Sequence, residues 1–346
     1  MIGTGWADKA QIPAFKAAGL AVVGIAGRSA ERTERVAVKH GIPFHTTAWE
    51  DLFELDFDLV SITTPPHLHK EMVLAAVREG RHLLCEKPLA LSRLEAQEMV
   101  SAAGERSDLL HLVDHQLRFL PARSKAFELL QSGAIGRIVT VTGRFHSNMR
   151  LDPETQWNWW SDLKRGGGIL GAIGSHVLDG IRWLLAAVTG DVEVRGATLG
   201  RVHPMRRDVG GVMREVTADD IASVTFRMGD AVGTMLVHGA AGDAPVDLLT
   251  VRGTEGTLIL DRSLKLYLGR GGGALKEYVT HLPGIVPNRF RSSPFAAGTV
   301  LFAQALADAL ESGDAAPLAP AASLEDGAAV QRLLDEVRHL AATKTA

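Results

Sequence analysis

A second cysteine, a strong excess of charge and long apolar runs are all missing from this 346-residue sequence. Because Cys85 is the one cysteine, an internal disulfide is excluded, and the chain is compatible with a reducing compartment. The 37 basic and 40 acidic residues leave a formal net charge of −3. Electrostatics therefore gives no reason to expect nucleic acid or an anionic membrane as a partner.

The apolar runs that do occur are short. The run from Trp183 to Val188 is far too short to span a bilayer, and no basic segment followed by an apolar leader is visible. A hydrophobic share of 46% and a charged share of 22% are ordinary for a soluble protein, and 346 residues suffice for two domains with separate cores. We therefore predict a soluble, cytoplasmic protein.

Two apolar runs each end in a polar loop that contains proline. The run 58–62 leads into the loop 63–67, and the run 82–85 leads into Glu86, Lys87 and Pro88. With a helical stretch between them this order is typical of a β-α-β unit, and ligands of open parallel sheets bind at the carboxyl ends of the strands. Lys87 is thus a candidate proton donor or clamp for a substrate oxygen. The alternative is a surface Glu–Lys pair before a proline.

A glycine-rich turn opens the chain. Gly3 and Gly5, with Ala7 as the third small residue, fit a turn from a first strand into a helix whose N-terminus faces a pyrophosphate. Only two residues precede Gly3, too few for a strand in the middle of a sheet. We therefore expect the natural chain to start several residues earlier.

The next apolar run, 21–26, predicts a strand covered on both faces. NAD-binding domains usually carry an acid at this strand end, where it accepts hydrogen bonds from the ribose hydroxyls. Here the position is Gly27, and the following Arg28 and Ser29 could hold a 2′-phosphate. We predict NADP in preference to NAD, although Arg28 also fits a surface position at a helix start.

After residue 118 successive strands replace alternating strands and helices. Runs rich in β-branched residues recur at 138–142, 221–228, 231–237, 248–252, 257–260 and 264–268, and a final helix is predicted near 324–341. We predict a Rossmann-type α/β domain with a parallel sheet at 1–118, for dinucleotide binding. An α+β domain with a mostly antiparallel open sheet follows at 119–346, for substrate binding and oligomerisation. A homo-oligomer, dimer or tetramer, would cover the open face.

A triple glycine, 166–168, leads into a helix with an apolar stripe at helical spacing. His176 lies beside this stripe, with Asp179 nearly one turn later. Such a histidine is usually a core residue, but the glycine-rich entry and the Glu-Lys-Pro loop favour a catalytic role. The glycines permit either close approach of a ligand or a tight helix entry. The tryptophans at 157, 159 and 160 fit either a sugar-stacking surface or a core or interface.

In this order the motifs resemble the Gfo/Idh/MocA family of NAD(P)-dependent oxidoreductases, from the glycine turn to the last helix. The resemblance implies hydride transfer between NAD(P) and a hydroxyl or carbonyl carbon of a sugar, cyclitol or related polyol. It implies no metal site, and it implies that the catalytic residues are Lys87, His176 and Asp179. The residues implied to bind the cofactor are Gly3, Thr4, Gly5, Trp6, Ala7, Arg28, Ser29, Thr64, Pro65, His67, Glu86 and Lys87.

One position departs from the family pattern. The family typically has an aspartate four residues before the histidine, where this sequence has Ala172. We expect His176 to act as general base, Lys87 to hold the substrate oxygen and lower its pKa, and Asp179 to assist orientation. The alternative is a catalytically inactive NAD(P)- or sugar-binding regulator of the same fold. Ala172 favours this alternative, whereas Lys87 and His176 count against it.

Overall fold

The structure is a computed structural model that describes residues 1–343. The helices are α1 (Ile12–Ala17), α2 (Ala30–His40), α3 (His69–Arg78), α4 (Arg93–Gly104), α5 (Pro121–Gln131), α6 (Ser175–Thr189), α7 (Pro294–Ser312) and α8 (Leu324–Thr343). The strands are β1 (Gly24–Ala26), β2 (Phe44–Thr46), β3 (Leu59–Ile62), β4 (His82–Cys85), β5 (His111–Val113), β6 (Ile138–His146), β7 (Glu193–Gly200), β8 (Met205–Arg207), β9 (Met213–Glu215), β10 (Ile221–Met228), β11 (Ala231–His238), β12 (Val246–Gly253), β13 (Gly256–Asp261), β14 (Leu266–Arg270), β15 (Lys276–Tyr278) and β16 (Ala322–Ser323).

The chain forms two compact units, and each consists of two segments. The first unit contains residues 1–120 and 282–328, and the second contains 121–281 and the chain from Ala329 on. The division into domains at 118/119 stays a prediction, and it did not anticipate that 282–328 joins the first unit. That segment includes α7, a helix that the sequence analysis missed. α7 packs on α1 and on the 3₁₀ turn Gln116–Phe119, where Phe119 and Phe302 stack at 4.5 Å between ring centroids.

A parallel sheet forms the centre of the first unit. β3, β4 and β5 are parallel neighbours, β1 pairs with β2 in parallel, and β16 adds an antiparallel edge. Ile2 joins the two parts because it forms parallel bridges to both Ala26 and Ile62. Its N–H donates to the Ser61 carbonyl at 2.8 Å, and its carbonyl accepts from Thr63 N at 2.7 Å. The predicted Rossmann-type parallel sheet is confirmed.

One strand of this sheet is shorter than its apolar run. Of the run 21–26, residues Gly24–Ala26 are in β1, whereas Ala21 and Val23 are exposed. Hydrophobicity alone placed the strand too early, because the pairing with β2 begins where Gly24 meets Phe44. A side chain at Gly24 would also crowd Leu55 and Leu52, whose Cδ atoms lie 2.8 and 2.9 Å from an ideal Cβ.

The second unit is built on an eight-stranded sheet in the order β15-β14-β13-β12-β6-β11-β10-β7. Every neighbouring pair is antiparallel except β6 and β11, which are parallel. The predicted, mostly antiparallel sheet is therefore confirmed, with β7 and β15 as additional strands, while β8 and β9 pair with each other in a separate two-stranded sheet. β7 and β15 are the edge strands of the eight-stranded sheet, where Glu193 and Lys276 are among the exposed charged residues.

Helix α6 packs on one face of this sheet. An ideal Cβ on Gly143 of β6 would lie 2.7 Å from Val177 Cγ1, so the glycine permits close contact between strand and helix. Ile169, Ile181 and Leu184 of the predicted stripe are buried. Within residues 1–343 one segment, Leu163–Thr189, is long and apolar enough to cross a membrane by length and composition, and 78% of its most apolar window is buried inside the protein.

Candidate active site

The glycine turn after Ile2 has two glycines with different reasons for lacking a side chain. Gly3 has a φ of +108°, and an ideal Cβ there would lie 2.4 Å from Thr63 Oγ1 and 2.8 Å from the Thr63 carbonyl carbon. Packing inside the protein therefore requires glycine at this position. At Gly5 an ideal Cβ would meet no protein atom within 4 Å. This turn thus leaves space beside its backbone.

The glycine pattern predicts that a dinucleotide binds in the open space beside Gly5. A glycine that no protein neighbour requires is expected where a phosphate approaches the backbone closely. The indole Nε1 of Trp6 is buried and donates no hydrogen bond within residues 1–343, so a donor is also available in this turn. Ala7 begins a π-helical turn, Ala7–Gln11, that continues into α1.

The end of β1 carries the residues predicted to select the cofactor. Arg28 and Ser29 are both exposed, and the Ser29 hydroxyl caps α2 by accepting from Arg32 N at 3.4 Å. Arg32, which the sequence analysis did not single out, donates from its guanidinium to the Thr4 carbonyl at 3.1 Å. The sequence did carry a signal for Arg32, because it is a basic residue in the first turn of the helix that follows β1.

The loop after β3 contains three of the predicted cofactor residues. Thr64 and Pro65 are half-buried, and His67 is exposed. His69, two positions later, is the fully buried histidine that the sequence analysis missed. Its Nε2 lies 2.8 Å from the Thr64 carbonyl, and its Nδ1 lies 3.1 Å from the Pro88 carbonyl and 3.2 Å from the Leu89 carbonyl. His69 therefore connects the loop after β3 to the loop after β4.

Lys87 follows the end of β4, as predicted, and its peptide bond to Pro88 is cis. Beside it, burial and the charge of Asp114 raise the pKa of Glu86 well above its ordinary value. Burial also raises the pKa of Asp114, which follows β5, and lowers the pKa of Lys87, while the two acids partly oppose the latter effect. The strand ends thus gather two buried acids and one half-buried cation.

Gln11 connects the glycine turn to this group. Its Nε2 donates to Glu86 Oε1 at 3.2 Å and to Asp114 Oδ2 at 2.8 Å, and its Oε1 accepts from Ser61 Oγ at 2.6 Å. All four of these side chains are buried. Gln11, Ser61 and Asp114 were not among the predicted site residues. For Asp114 a signal was present, because it directly follows an apolar strand just as Glu86 does.

In the second unit the structure places His176 and Asp179 on the same helix, α6. They are 4% and 2% exposed, so both are buried. Ala172 is also buried and lies in the π-helical turn Leu170–Gly174, which precedes α6. The start of this helical segment is held by Asp219, whose carboxylate accepts from Leu170 N at 2.7 Å. Burial raises the pKa of Asp219.

The triple glycine before this segment is explained by packing within the second unit. An ideal Cβ on Gly167 would lie 2.5 Å from the Trp159 carbonyl oxygen, and one on Gly168 would lie 2.3 Å from Asp219 Oδ1. These contacts support a tight helix entry. Trp157 donates from Nε1 to the Glu215 carbonyl at 2.8 Å, and the guanidinium groups of Arg165 and Arg214 each lie 5.6 Å from its ring centroid.

Comparison with protein families decides the assignment. Residues 1–114 match the model described as "Oxidoreductase family, NAD-binding Rossmann fold", and residues 124–259 match the "GFO/IDH/MocA C-terminal domain". The chain belongs to the Gfo/Idh/MocA oxidoreductase family. The predictions of family, of fold class and of an NAD(P)-dependent oxidoreductase are thereby confirmed.

Individual relatives of this Gfo/Idh/MocA protein are distant in sequence. "Glucose-fructose oxidoreductase domain-containing protein 1" of Xenopus tropicalis is 29% identical over 345 residues, which cover 94% of this chain and 85% of that protein. Levoglucosan dehydrogenase of Pseudarthrobacter phenanthrenivorans is 30% identical over 254 residues, which cover 68% of this chain and 64% of that protein.

Solved structures of similar fold match nearly the whole length of the chain. Levoglucosan dehydrogenase in complex with NADH and L-sorbose superposes with a TM-score of 0.85 at 25% identity, covering 99% of this chain and 96% of that chain. The complex with NADH and levoglucosan gives a TM-score of 0.87 at 24% identity, covering 99% and 97% of the two chains.

Proposed function

We propose that this Gfo/Idh/MocA protein is a dehydrogenase or reductase that transfers a hydride between NAD(P) and a hydroxyl or carbonyl carbon of a sugar, cyclitol or related polyol. The observation that carries the proposal is the bond from Gln11 to Glu86, because it ties the helix after the glycine turn to the loop of Lys87. A turn with space for a dinucleotide and a candidate catalytic lysine therefore share one edge of the parallel sheet, where ligands of such sheets bind.

The proposed chemistry divides between the cofactor and the chain. Bound beside Gly5, NAD(P) supplies the hydride acceptor or donor. Lys87 holds the reacting oxygen of the substrate and stabilises negative charge on it, His176 takes the hydroxyl proton as general base, and Asp179 assists the orientation of His176. These roles follow from the family resemblance, and they are tested by measuring the turnover of variants of these residues.

The relatives suggest which substrates to test first. Levoglucosan and L-sorbose are named in complexes of a structurally similar family member, so both belong in a screen with other sugars and cyclitols. Each compound is incubated with NAD and NADP, or with the reduced forms, and the nicotinamide absorbance is followed. We expect a polyol-dependent absorbance change that the Lys87→Met variant loses. Tight dinucleotide binding with no turnover of any polyol would instead support the binding regulator, which the relatives do not favour.

The preference for NADP over NAD is a separate proposal, supported by Gly27 and the exposed Arg28 and Ser29 at the end of β1. Gly27→Asp is a poor test, since an ideal Cβ at Gly27 lies 2.6 Å from Thr33 Oγ1 and 2.7 Å from Thr4 Cγ2. Arg28→Ala changes the charge without this crowding.

If Arg28 binds the 2′-phosphate, Arg28→Ala should weaken NADP binding about tenfold or more and leave NAD binding nearly unchanged, as expected for one charge-assisted hydrogen bond. Cofactor titration by fluorescence measures both affinities. Arg35→Ala is the matched control, because Arg35 is an exposed arginine of α2, the helix that follows Arg28, and pairs with Glu31. Tighter binding of NAD than of NADP by the unmodified protein would show the assignment to be wrong.

Two further predictions concern the oligomeric state of the protein and its location in the cell. The open sheet of the second unit supports a homo-oligomer, dimer or tetramer, in which a second copy covers its exposed face. Light scattering at micromolar concentration gives the oligomer mass. A cytoplasmic location is tested by fractionating cells that produce the protein. A monomer in the first experiment would show that the exposed face needs no partner.

A further inference from the structure

Glu86 and Asp114 form a buried acid pair at the carboxyl ends of β4 and β5. Their relative exposures are 9% and 1%. One amide group of Gln11 donates to both acids, at 3.2 Å to Glu86 Oε1 and 2.8 Å to Asp114 Oδ2. Ser61 Oγ donates to Gln11 Oε1 at 2.6 Å, and the NH₂ group of the same amide is turned toward the two acids.

The remaining oxygen of Asp114 lacks a donor in this arrangement. Asp114 Oδ1 is buried and accepts no hydrogen bond within residues 1–343. The carboxyl groups of Glu86 and Asp114 lie side by side, because both accept from the same amide nitrogen of Gln11. Two ionised carboxylates at this separation repel, and neither can donate to the other. One proton shared by the two carboxyl groups removes the repulsion between them. It also provides a hydrogen-bond donor beside Asp114 Oδ1, which otherwise has none within the described part of the chain.

The charged and titratable groups that face the pair also favour one proton. Lys87 is the cation beside both acids. The thiol of Cys85 faces them as well, and burial together with both acids raises its pKa, so it carries no charge at neutral pH. Two carboxylates beside Lys87 would leave a net negative charge in a buried environment, which is costly. A single negative charge on the pair balances the lysine.

We propose that Glu86 and Asp114 hold one proton between them and present a single negative charge to Lys87, so that Asp114 is a positioning residue that sets the protonation of Lys87. The sharing of the proton is a property of the first unit alone. Its consequence for catalysis rests on the function proposed above for Lys87.

The shared proton can be observed directly in the unmodified protein. Full-length protein is prepared with ¹³C in the side-chain carboxyl of glutamate, or in a second sample of aspartate, and carbon NMR spectra are recorded at pH 7. We expect a protonated carboxyl signal that disappears in both Glu86→Gln and Asp114→Asn, because the acid left in each variant ionises. Asp219→Asn, which removes another buried acid, should retain the signal. If no protonated signal responds to both substitutions, the proposal is wrong.

The effect on Lys87 gives a second test. In protein labelled with ¹³C at the lysine Cε, the Lys87 signal is assigned with Lys87→Met and titrated with pH. Each single variant keeps one negative charge beside Lys87, so its pKa should stay within about half a unit of the value in the unmodified protein. The double variant removes that charge and should lower the Lys87 pKa by about one unit or more, as expected for the loss of an adjacent opposite charge in a buried site.

If each single variant lowered the Lys87 pKa and the double variant lowered it further, the proposal would be wrong, because both acids would then carry a charge in the unmodified protein. Should the double variant fail to fold, the two single variants and the carboxyl spectra still decide the question. Neither NMR measurement depends on turnover. Failure to find a polyol substrate therefore leaves the shared proton standing, and a missing carboxyl signal leaves the proposed oxidoreductase activity standing.

Discussion

His69→Gln combined with a change of pH tests how complete burial sets the charge of a histidine that joins two strand-end loops. The ring of His69 is fully buried, and its two nitrogens face three backbone carbonyls at 2.8 to 3.2 Å. Carbonyls only accept hydrogen bonds, so they favour protons on both nitrogens, whereas loss of hydration favours the neutral ring. Burial is the larger effect and lowers the pKa of His69 to about 4.

The consequence for stability has a definite sign. Below its ordinary pKa of 6.5 the unfolded chain binds a proton at His69 that the folded chain does not bind until the pH reaches about 4. The folded state therefore loses stability as the pH falls from about 6.5 to about 4. A difference of about 2.5 in pKa, at about 1.4 kcal/mol per unit, amounts to about 3 kcal/mol, of which about 2 kcal/mol is lost by pH 5.

Urea unfolding at pH 7 and pH 5 measures this loss. His69→Gln keeps a side-chain amide that can donate to the carbonyls but does not titrate, so it should lose about 2 kcal/mol less than the unmodified protein between the two pH values. His45→Gln is the control, because His45 is an exposed histidine of the same unit. An equal loss in the unmodified protein and in His69→Gln would refute the reasoning. A smaller loss in the unmodified protein would show that the three carbonyls outweigh burial.

Two further sets of variants test the active site. If Lys87 and His176 act on the same substrate oxygen as proposed, Lys87→Ala and His176→Ala should each lower turnover by about two to four orders of magnitude, and the double variant should be little worse, because groups that act together are not additive. Multiplied losses in steady-state assays would contradict this. Gly3→Ala should destabilise the first unit by about 3 kcal/mol or more, since its positive φ and the Thr63 backbone leave no room for a Cβ. Gly5→Ala should leave the thermal midpoint nearly unchanged and weaken dinucleotide binding in calorimetry, and the reverse pattern would place the cofactor elsewhere.

The sequence pattern was sufficient to predict those strands and helices in which the spacing of apolar residues matches the buried face. The β-branched run at 221–228 is strand β10 from end to end, because its alternating side chains meet the core on one face. The apolar run before Glu86 ends at Cys85, where β4 also ends. α7 was missed because Ala, Gly and Thr dilute its apolar stripe, although the first unit buries most of its residues.

The sequence by itself determined the family, the parallel and antiparallel sheets, and the position of Lys87 at a strand end, because each depends on residues that are close in the chain. Only the tertiary structure brought Gln11 to Glu86 and Asp114, from which it is separated by 75 and 103 positions. It also decided that His69 is completely buried and that Gly168 lacks a side chain because of Asp219. Such contacts depend on which strand ends become neighbours, and that is set by the packing of whole elements and leaves no local periodicity.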